Sequence, residues 1–260
     1  MPVNPQPRLR TDTSRPSFGA VFPPGRVSGL TLVELLAVVA IVGVLSALVL
    51  VVVGKTREAA RAAGCLSNLR QIGAACLMYN ADNRHRMVPL YAPPPDGTAS
   101  VTWRTFLSPY LGKNGDPQSI LRCPDTDVPG QTTSSLKAGT RPASYGMNGL
   151  GLHAYVGVTP VSGMDSDILR PAHTIMVCDI AKVSNPSAPP SDWVAAGQDN
   201  YGYVRFPSDA QWTSDAWNIF PRHSGRANVV YYDGHAGSVD VARDILGVSA
   251  ASPACPWTNK

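Results

Sequence analysis

The chain has 260 residues, a formal net charge of +4 and only 15% charged residues. Neither the charge nor its density is typical of a nucleic-acid-binding protein, so no nucleic-acid partner is expected. The 24 prolines and 23 glycines are high for this length and agree with an exported, anchored protein. The first 29 residues are proline-rich and lack apolar periodicity, which predicts a disordered segment.

An apolar stretch from Leu35 to Val53 carries no charged residue. As an α-helix it would be roughly 28 Å long, close to the ~30 Å thickness of a membrane hydrocarbon core. A cleaved secretory signal is the alternative, but the apolar core of such a signal has about 7 to 15 residues. This stretch is longer and runs into more helix-forming sequence, so we predict a single transmembrane helix over residues 30–53.

Glu34 stands directly before this stretch. A carboxylate at the edge of a membrane span costs up to a few kcal/mol and is expected to have a polar partner or a role. The alternative is that Glu34 lies at headgroup level and complements the positive end of the helix dipole. The residues alone leave both interpretations open.

The run Gly29-Leu30-Thr31-Leu32-Val33-Glu34-Leu35, followed by the apolar helix, resembles the processing site of type IV prepilins and type II secretion pseudopilins. This resemblance covers residues 26–53. It implies that a membrane prepilin peptidase cuts between Gly29 and Leu30 and methylates the new amine of Leu30. It also implies that Glu34 pairs with the amine of a neighbouring subunit during assembly. The long leader and Leu30 in place of the more usual Phe are departures from the pattern.

Membrane orientation is ambiguous from charge, because Lys55, Arg57 and Arg61 on one side at least match Arg15 and Arg26 on the other. The resemblance resolves it, since the peptidase acts on the cytoplasmic face. Residues 1–29 would then be a cleaved cytoplasmic leader. The chain would cross the bacterial inner membrane once, with its C-terminal part in the periplasm or at the surface. Other pilin or pseudopilin subunits, the inner-membrane assembly platform and membrane lipid are the further partners implied.

The helix is predicted to continue beyond the membrane. Residues 57–80 contain no proline and are rich in good helix formers. One apolar face recurs at steps of three or four and requires a sheet to cover it; it consists of Leu66, Leu69, Ile72, Cys76 and Tyr79. We therefore assign residues 54–86 to a soluble continuation of the helix.

Residues 87–260 are long enough for one domain with its own core. We predict an α+β fold in which the long N-terminal helix packs on an antiparallel sheet, as in pilins. Asp233-Gly234 after an apolar run predicts a hairpin with a two-residue type I′ turn, and Asp192 to Phe220 is predicted to be a long ordered loop or a surface insertion. The other predicted elements are a helix over 103–111 and strands over 152–158, 174–180 and 228–232.

A second resemblance covers residues 26–240. It is to a bacterial family with prepilin-type processing and an H-x9-DG domain of unknown function, and it implies a pseudopilin-like α+β fold without established enzymatic activity. The residues that carry it are Cys65-Leu-Ser-Asn68-Leu69-Arg70-Gln71, Cys123-Pro124-Asp125, Ser144-Tyr145-Gly146-Met147-Asn148 and His223 followed by Asp233-Gly234.

His223 and Asp233 have two interpretations. A catalytic base with its orienting carboxylate would also need a nucleophile and an oxyanion site, and Ser224 is the only adjacent hydroxyl. We therefore predict no catalytic residue and no enzyme. In the structural interpretation, Asp233-Gly234 forms the turn and His223 braces it.

No cofactor is predicted. His223, Asp233 and His235 offer metal-binding atoms, but no Cys or His pair has the spacing of a zinc site. Calcium is the alternative, with scattered oxygen donors but no EF-hand pattern; these donors are Asp192, Asp199, Asp209 and Asp215.

The disulfide connectivity of the five cysteines cannot be read from the sequence. Cys65 and Cys76 would lie about 16 Å apart along one helix, too far to bridge each other. Cys76 falls on the apolar stripe of the helix and is interpreted as a small core residue.

Two classes of function follow. The first is a structural subunit of a type IV pilus-like or type II secretion pseudopilus-like assembly. The alternative is a membrane-anchored periplasmic or surface binding module, in which the region from Trp193 to Trp217 holds a glycan or a secreted protein. Aromatic residues are enriched at interfaces, but they are equally common in cores.

Overall fold

The computed structural model describes residues 29, 31–92, 101–111, 117–125, 144–149, 155–156, 159–160, 163–197, 202–204, 217–249, 252 and 255–257. Residues 1–28 of the predicted leader and Leu30 lie outside these residues. The chain forms two compact units, residues 1–50 and residues 51–260.

Helix α1 spans Leu32–Asp82, a continuous run of 51 residues. A reciprocal capping box fixes its start. The Glu34 N–H donates to Thr31 Oγ1 at 3.2 Å, and the Thr31 N–H donates to Glu34 Oε2 at 2.8 Å. Thr or Ser followed three residues later by Glu is a helix-start signature, so the sequence itself sets this boundary.

In the first unit, the helix exposes its apolar side chains. Every large apolar side chain described between Leu32 and Leu50 is exposed, from Val38 at 54% to Leu32 at 78%. Among the described residues, α1 is the one helix long and apolar enough to cross a membrane. The predicted apolar helix is therefore present.

In the second unit, one face of α1 packs on a sheet. Leu69, Ile72 and Cys76 are buried, and Leu66 and Tyr79 are half-buried, which confirms the predicted stripe. The helix comes close to the sheet at Gly73. A Cβ at this position would lie 2.6 Å from Val230 Cγ2, so the close approach requires glycine.

The main sheet has seven strands among the described residues, in the order β11-β10-β6-β3-β8, with β7 and β9 also paired to β6. Its pairs are antiparallel except β3 with β8, which is parallel. The predicted α+β fold, a long helix packed on a sheet, is confirmed, and the sheet is mixed. The strands are β1 Tyr91–Ala92, β2 Val101–Thr102, β3 Tyr145–Asn148, β4 Tyr155–Val156, β5 Thr159–Pro160, β6 Ile175–Val183, β7 Ala195–Gly197, β8 Tyr203–Val204, β9 Trp217–Ile219, β10 Arg226–Tyr231 and β11 Ala236–Asp240.

The remaining described elements are helical and short. They are α2 Trp103–Leu107, the 3₁₀ turns Ser108–Tyr110, Asp165–Asp167 and Pro190–Asp192, α3 Pro117–Ile120 and a π-helical turn Val241–Leu246. The predicted helix at 103–111 is thus confirmed as an α-helix that tightens into a 3₁₀ turn. Where the sequence predicted a long loop over Asp192 to Phe220, the structure has β7, β8 and β9, each too short to show an alternating pattern.

Apolar residues cover both faces of the sheet. On β6 and β10, Val177 and Val230 belong to a core cluster shared with α1. Their neighbours Cys178 and Val229 belong to a second cluster on the opposite face, which the π-helical turn covers. Side chains that alternate into two cores explain why these two strands are apolar runs and were predicted correctly.

The hairpin from β10 to β11 turns through three residues. Tyr231 N–H donates to the His235 carbonyl at 2.9 Å, and Gly234 N–H donates to the Tyr231 carbonyl at 2.9 Å. Gly234 has a φ of +89°, whereas Asp233 is not among the residues with positive φ. The predicted two-residue type I′ turn is therefore wrong, and the geometry is a turn closed by a left-handed glycine.

Candidate functional site

Side chains from separate motif segments meet beside the middle of β6. The potential ligand atoms of Cys65, Cys123, Asp179 and His223 all lie within 4.8 Å of one another, and all four residues are buried. We call these four residues the Cys-Asp-His cluster. All of them belong to the second unit.

The secondary structure delivers each member. Cys65 lies on the buried face of α1, one turn before Leu69. Asp179 follows Cys178 on β6, and strand alternation places its side chain on the face that packs against α1. His223 is bridged to Arg226 at the start of β10 by main-chain hydrogen bonds of 2.9 and 3.0 Å.

The turn before β10 has a left-handed backbone. Ser224 has a φ of +51° and Gly225 a φ of +83°. The Ser224 hydroxyl donates to Glu58 Oε1 on α1. This contact ties the turn that carries His223 to the helix that carries Cys65.

The Asp179 carboxyl group is fully enclosed, with 0% exposure. Its Oδ1 accepts from the Cys65 thiol at 3.1 Å, and its Oδ2 accepts from the Asn228 N–H at 2.8 Å. The same Oδ2 lies 3.4 Å from His223 Nε2. Main chain, thiol and imidazole therefore surround the carboxylate.

The His223 ring lies between two carboxylates. Its Nε2 faces Asp179 and also lies 3.6 Å from Cys123 Sγ. Its Nδ1 lies 3.4 Å from Asp125 Oδ2, and Asp125 Oδ1 is 2.9 Å from Arg61 Nε. The Cys123-Pro124-Asp125 motif thus contacts both edges of the same imidazole.

The charges of the cluster shift its proton affinities. Burial alone would lower the pKa of His223, but the neighbouring Asp179 and Cys123 outweigh this effect and raise the pKa to about 10. The neighbouring Cys65 thiol and, to a smaller extent, the His223 imidazole lower the pKa of the Cys123 thiol to about 6 against the effect of burial. Burial raises the pKa of Cys65 well above its usual range. The surroundings therefore favour the thiolate form at Cys123 over Cys65.

Residues 54–219 match a protein family described as Protein of unknown function (DUF1559). The chain belongs to the DUF1559 family. No curated protein and no solved structure matches this chain. The matched segment of this DUF1559 protein contains Cys65, Cys123 and Asp179 and ends before His223.

Cys123, His223 and Asp125 have the order of a nucleophile, a base and an orienting carboxylate. In such a triad, the thiolate must be reachable by a substrate carbonyl. In the DUF1559 protein Cys123 has 0% exposure, and the Asp179 carboxylate occupies the side of the imidazole that would serve the nucleophile. The arrangement is therefore poorly suited to nucleophilic catalysis, whereas thiolate, imidazole and carboxylate together are the usual ligands of a bound metal.

The other residues singled out from the sequence lie elsewhere. Asp233 Oδ1 contacts His235, accepting from its N–H at 3.0 Å and lying 2.6 Å from its Nδ1. The turn that holds Asp233 and Gly234 is at the opposite end of β10 from His223, on the order of 20 Å away along a six-residue strand. The structure does not place His223 at this turn, so it does not brace it.

Only some of the residues predicted for processing and for calcium binding lie in the part of the chain that the structure describes. Gly29 is exposed, Glu34 lies in the capping box at the start of α1, and Leu30 lies outside the described residues. Of the proposed calcium donors only Asp192 is described, with its carbonyl accepting from Asn185 Nδ2 at 2.8 Å.

Sequence reasoning missed Asp179 and the proximity of the two cysteines. A signal for Asp179 was present, because a carboxylate within the apolar run Ile175–Ile180 must be buried and therefore partnered. The spacing rules for zinc sites detect ligands from one short segment. In this DUF1559 protein each member of the Cys-Asp-His cluster comes from a different element, so local spacing could not reveal it.

Proposed function

We propose that this DUF1559 protein is a structural subunit of a type IV pilus-like or type II secretion pseudopilus-like assembly. The main observation in support of this proposal is the structure of helix α1. It is a single helix of 51 residues whose first part exposes large apolar side chains and whose second part packs a stripe onto a sheet. This arrangement fits a subunit that is held in a membrane by the first half of the helix and carries a folded domain on the second half.

The exposed apolar surface calls for a partner. The described large apolar side chains between Leu32 and Val53 are 38% to 78% exposed, over a length suited to a bilayer. A contiguous apolar surface of this size is not stable in water and marks a membrane or protein contact. Lipid would cover it in the stored precursor, and the helices of neighbouring subunits would cover it in a fibre.

The start of α1 supports the proposed processing. Gly29 is exposed and has no atom within 4 Å of where a Cβ would lie, so a peptidase has access to it. A cut after Gly29 would place the new amine on Leu30. The Glu34 carboxylate accepts from the next N–H, that of Thr31, at 2.8 Å. It would therefore stand beside the new terminus, available to the amine of an adjacent subunit.

A glycan-binding module is less well supported. Trp193, which the alternative places on the binding surface, is only 7% exposed and packs in the second core cluster. Its Nε1 donates to the Ala188 carbonyl at 2.8 Å. Trp193 therefore acts as a core residue, and the burial of the Cys-Asp-His cluster argues against a catalytic role for these four residues.

Processing is expected to depend on Gly29. A peptidase that accepts only a residue without a side chain before the cut would reject Gly29→Val, leaving a membrane-bound precursor. Gly43→Val is the matched control, because Gly43 also has open space around it but lies within the apolar stretch. Intact-mass measurement should show a precursor for the first variant and a mature chain for the second. A mature chain starting at Leu30 in Gly29→Val would contradict the proposed cut.

A further inference from the structure

We propose that the Cys-Asp-His cluster is a structural zinc site. The ligands would be the sulfurs of Cys65 and Cys123, one carboxylate oxygen of Asp179 and Nε2 of His223. This site is independent of the proposed assembly function, since all four ligands lie in the folded second unit.

The distances between the four side chains fit a shared ion. Zinc binds at about 2.0–2.3 Å, so the ligand atoms of a tetrahedral site lie about 3.3–3.8 Å apart. Cys65 Sγ is 3.1 Å from Asp179 Oδ1, and Nε2 of His223 is 3.4 Å from Asp179 Oδ2. The distance from Cys123 Sγ to the same Nε2 is 3.6 Å. No ligand pair exceeds 4.8 Å, so an ion requires only small side-chain shifts.

Direct hydrogen bonding accounts for these distances less well. A charge-assisted hydrogen bond between imidazolium and carboxylate is about 2.7–2.9 Å long. The His223–Asp179 separation of 3.4 Å is longer, although both groups are buried and have no competing solvent. Thiols are weak hydrogen-bond donors, so the Cys65 thiol compensates poorly for the desolvation of Asp179. A cation between all four groups would satisfy each of them.

A second layer of contacts supports metal binding through His223 Nε2. Metal-binding histidines usually present their other ring nitrogen to a carboxylate or a carbonyl, which fixes the ring. Here Asp125 Oδ2 lies 3.4 Å from His223 Nδ1, and Arg61 holds the other oxygen of Asp125 at 2.9 Å. Asp179 is also oriented from outside the cluster, by the Asn228 N–H at 2.8 Å.

Ligand type and burial select zinc in a structural role. Two sulfurs and an imidazole favour zinc over magnesium or calcium, which prefer oxygen ligands. Four protein ligands complete a tetrahedral site and leave no open position for a substrate. The ligands come from α1, the segment after α3, β6 and the turn before β10. The ion would fasten the soluble half of α1 to the sheet.

The test uses the full chain, purified in detergent and loaded with zinc chloride before removal of unbound metal. We expect about one zinc per chain by elemental mass spectrometry and a Tm that rises with zinc concentration. Cobalt chloride loaded in place of zinc should give sulfur-to-cobalt charge-transfer absorption, which reports bound thiolates directly. Tryptophan fluorescence should follow the melting of the second unit, since the chain has its tryptophans only beyond residue 100.

Two substitutions on one helix provide a matched comparison. Cys65 and Cys76 are both buried on α1, with 0% and 1% exposure, but only Cys65 belongs to the cluster. Cys65→Ala should lose the bound zinc and the cobalt–sulfur absorption, whereas Cys76→Ala should keep both. Asp125→Asn should keep the site but weaken zinc affinity about 10- to 100-fold, as expected for an outer-layer carboxylate.

Measurements on the unmodified chain decide the question even if a variant fails to fold. The proposal would be overturned if the chain, after loading with zinc chloride and removal of unbound metal, held much less than one zinc per chain. A cobalt-loaded chain without sulfur-to-cobalt charge-transfer absorption would overturn it as well. A Cys65–Cys123 disulfide found by peptide mass spectrometry in the native protein would also overturn it, since bridged sulfurs cannot both bind zinc as thiolates.

Discussion

The Glu34→Gln variant should be inserted and cleaved normally yet yield at least about tenfold less fibre than the unmodified chain. Gln at the third helical position can still complete a capping box with Thr31, so the start of α1 is preserved. What is lost is the negative charge that would neutralise the amine of a neighbouring subunit in an apolar fibre core. Leaving a buried charge without its partner costs about 3–5 kcal/mol, more than the 1.4 kcal/mol that corresponds to about tenfold.

Thr31→Ala separates capping from charge. It removes the hydroxyl that accepts from the Glu34 N–H at 3.2 Å, at a cost of about 1 kcal/mol to the helix start, but keeps the carboxylate. This variant should still assemble, whereas Glu34→Leu should fail as Glu34→Gln does. Fibres would be collected by shearing and quantified against membrane-bound protein. Normal fibre yield from both Glu34 variants would leave Glu34 as a residue at headgroup level only.

Asp179→Ala should lower the free energy of unfolding of the second unit by about 3–5 kcal/mol, measured in a chelator so that no metal contributes. The substitution leaves His223 and the Asn228 N–H buried without the carboxylate that now contacts both. Urea unfolding in detergent, followed by tryptophan fluorescence, would measure the change.

An exposed pair provides the control for Asp179→Ala. Asp165 lies 2.9 Å from His85, closer than Asp179 to His223, but both members of that pair are solvent-accessible. Asp165→Ala should cost no more than about 1 kcal/mol, because water replaces the lost partner. Equal effects of the two substitutions would contradict the idea that burial makes Asp179 essential to the fold.

Helix α1 was predictable because its signals are local. Each signal lies within one segment of the sequence. These signals are the continuous apolar stretch, the run of helix formers and the stripe through Leu69 and Ile72, which recurs at helical spacing. The helix ends at Asp82, four residues before residue 86, where the predicted continuation ends. Strands β6 and β10 were predictable for a related reason, since each is a continuous apolar run.

The short strands and the hairpin turn depend on more than local pattern. Strands β7, β8 and β9 have only two or three residues and owe their conformation to pairing with β6 or β3. At the turn, Asp233-Gly234 fits both two-residue and three-residue hairpins. The Asp233 carboxylate accepts from the His235 N–H, and only Gly234 takes positive φ. The two residues alone therefore do not specify the turn type.

The Cys-Asp-His cluster could not be predicted, although its members were nearly all visible. Cys65, Cys123 and His223 each lie in a motif that the sequence singled out, but nothing in the spacing places these motifs together. Their meeting depends on how α1 lies on β6 and on the turn at Ser224 and Gly225. Long-range packing brings these motifs together. The one sequence signal of their meeting is Asp179, a carboxylate within an apolar strand.

Mass spectrometry of the mature N-terminus tests the central claim most directly. Native membranes and sheared surface material would be analysed in parallel from the same cells. The proposed function predicts a chain that begins at N-methylated Leu30 in both fractions. A chain that still carries Gly29, or a protein absent from the sheared material, would contradict its role as a processed fibre subunit.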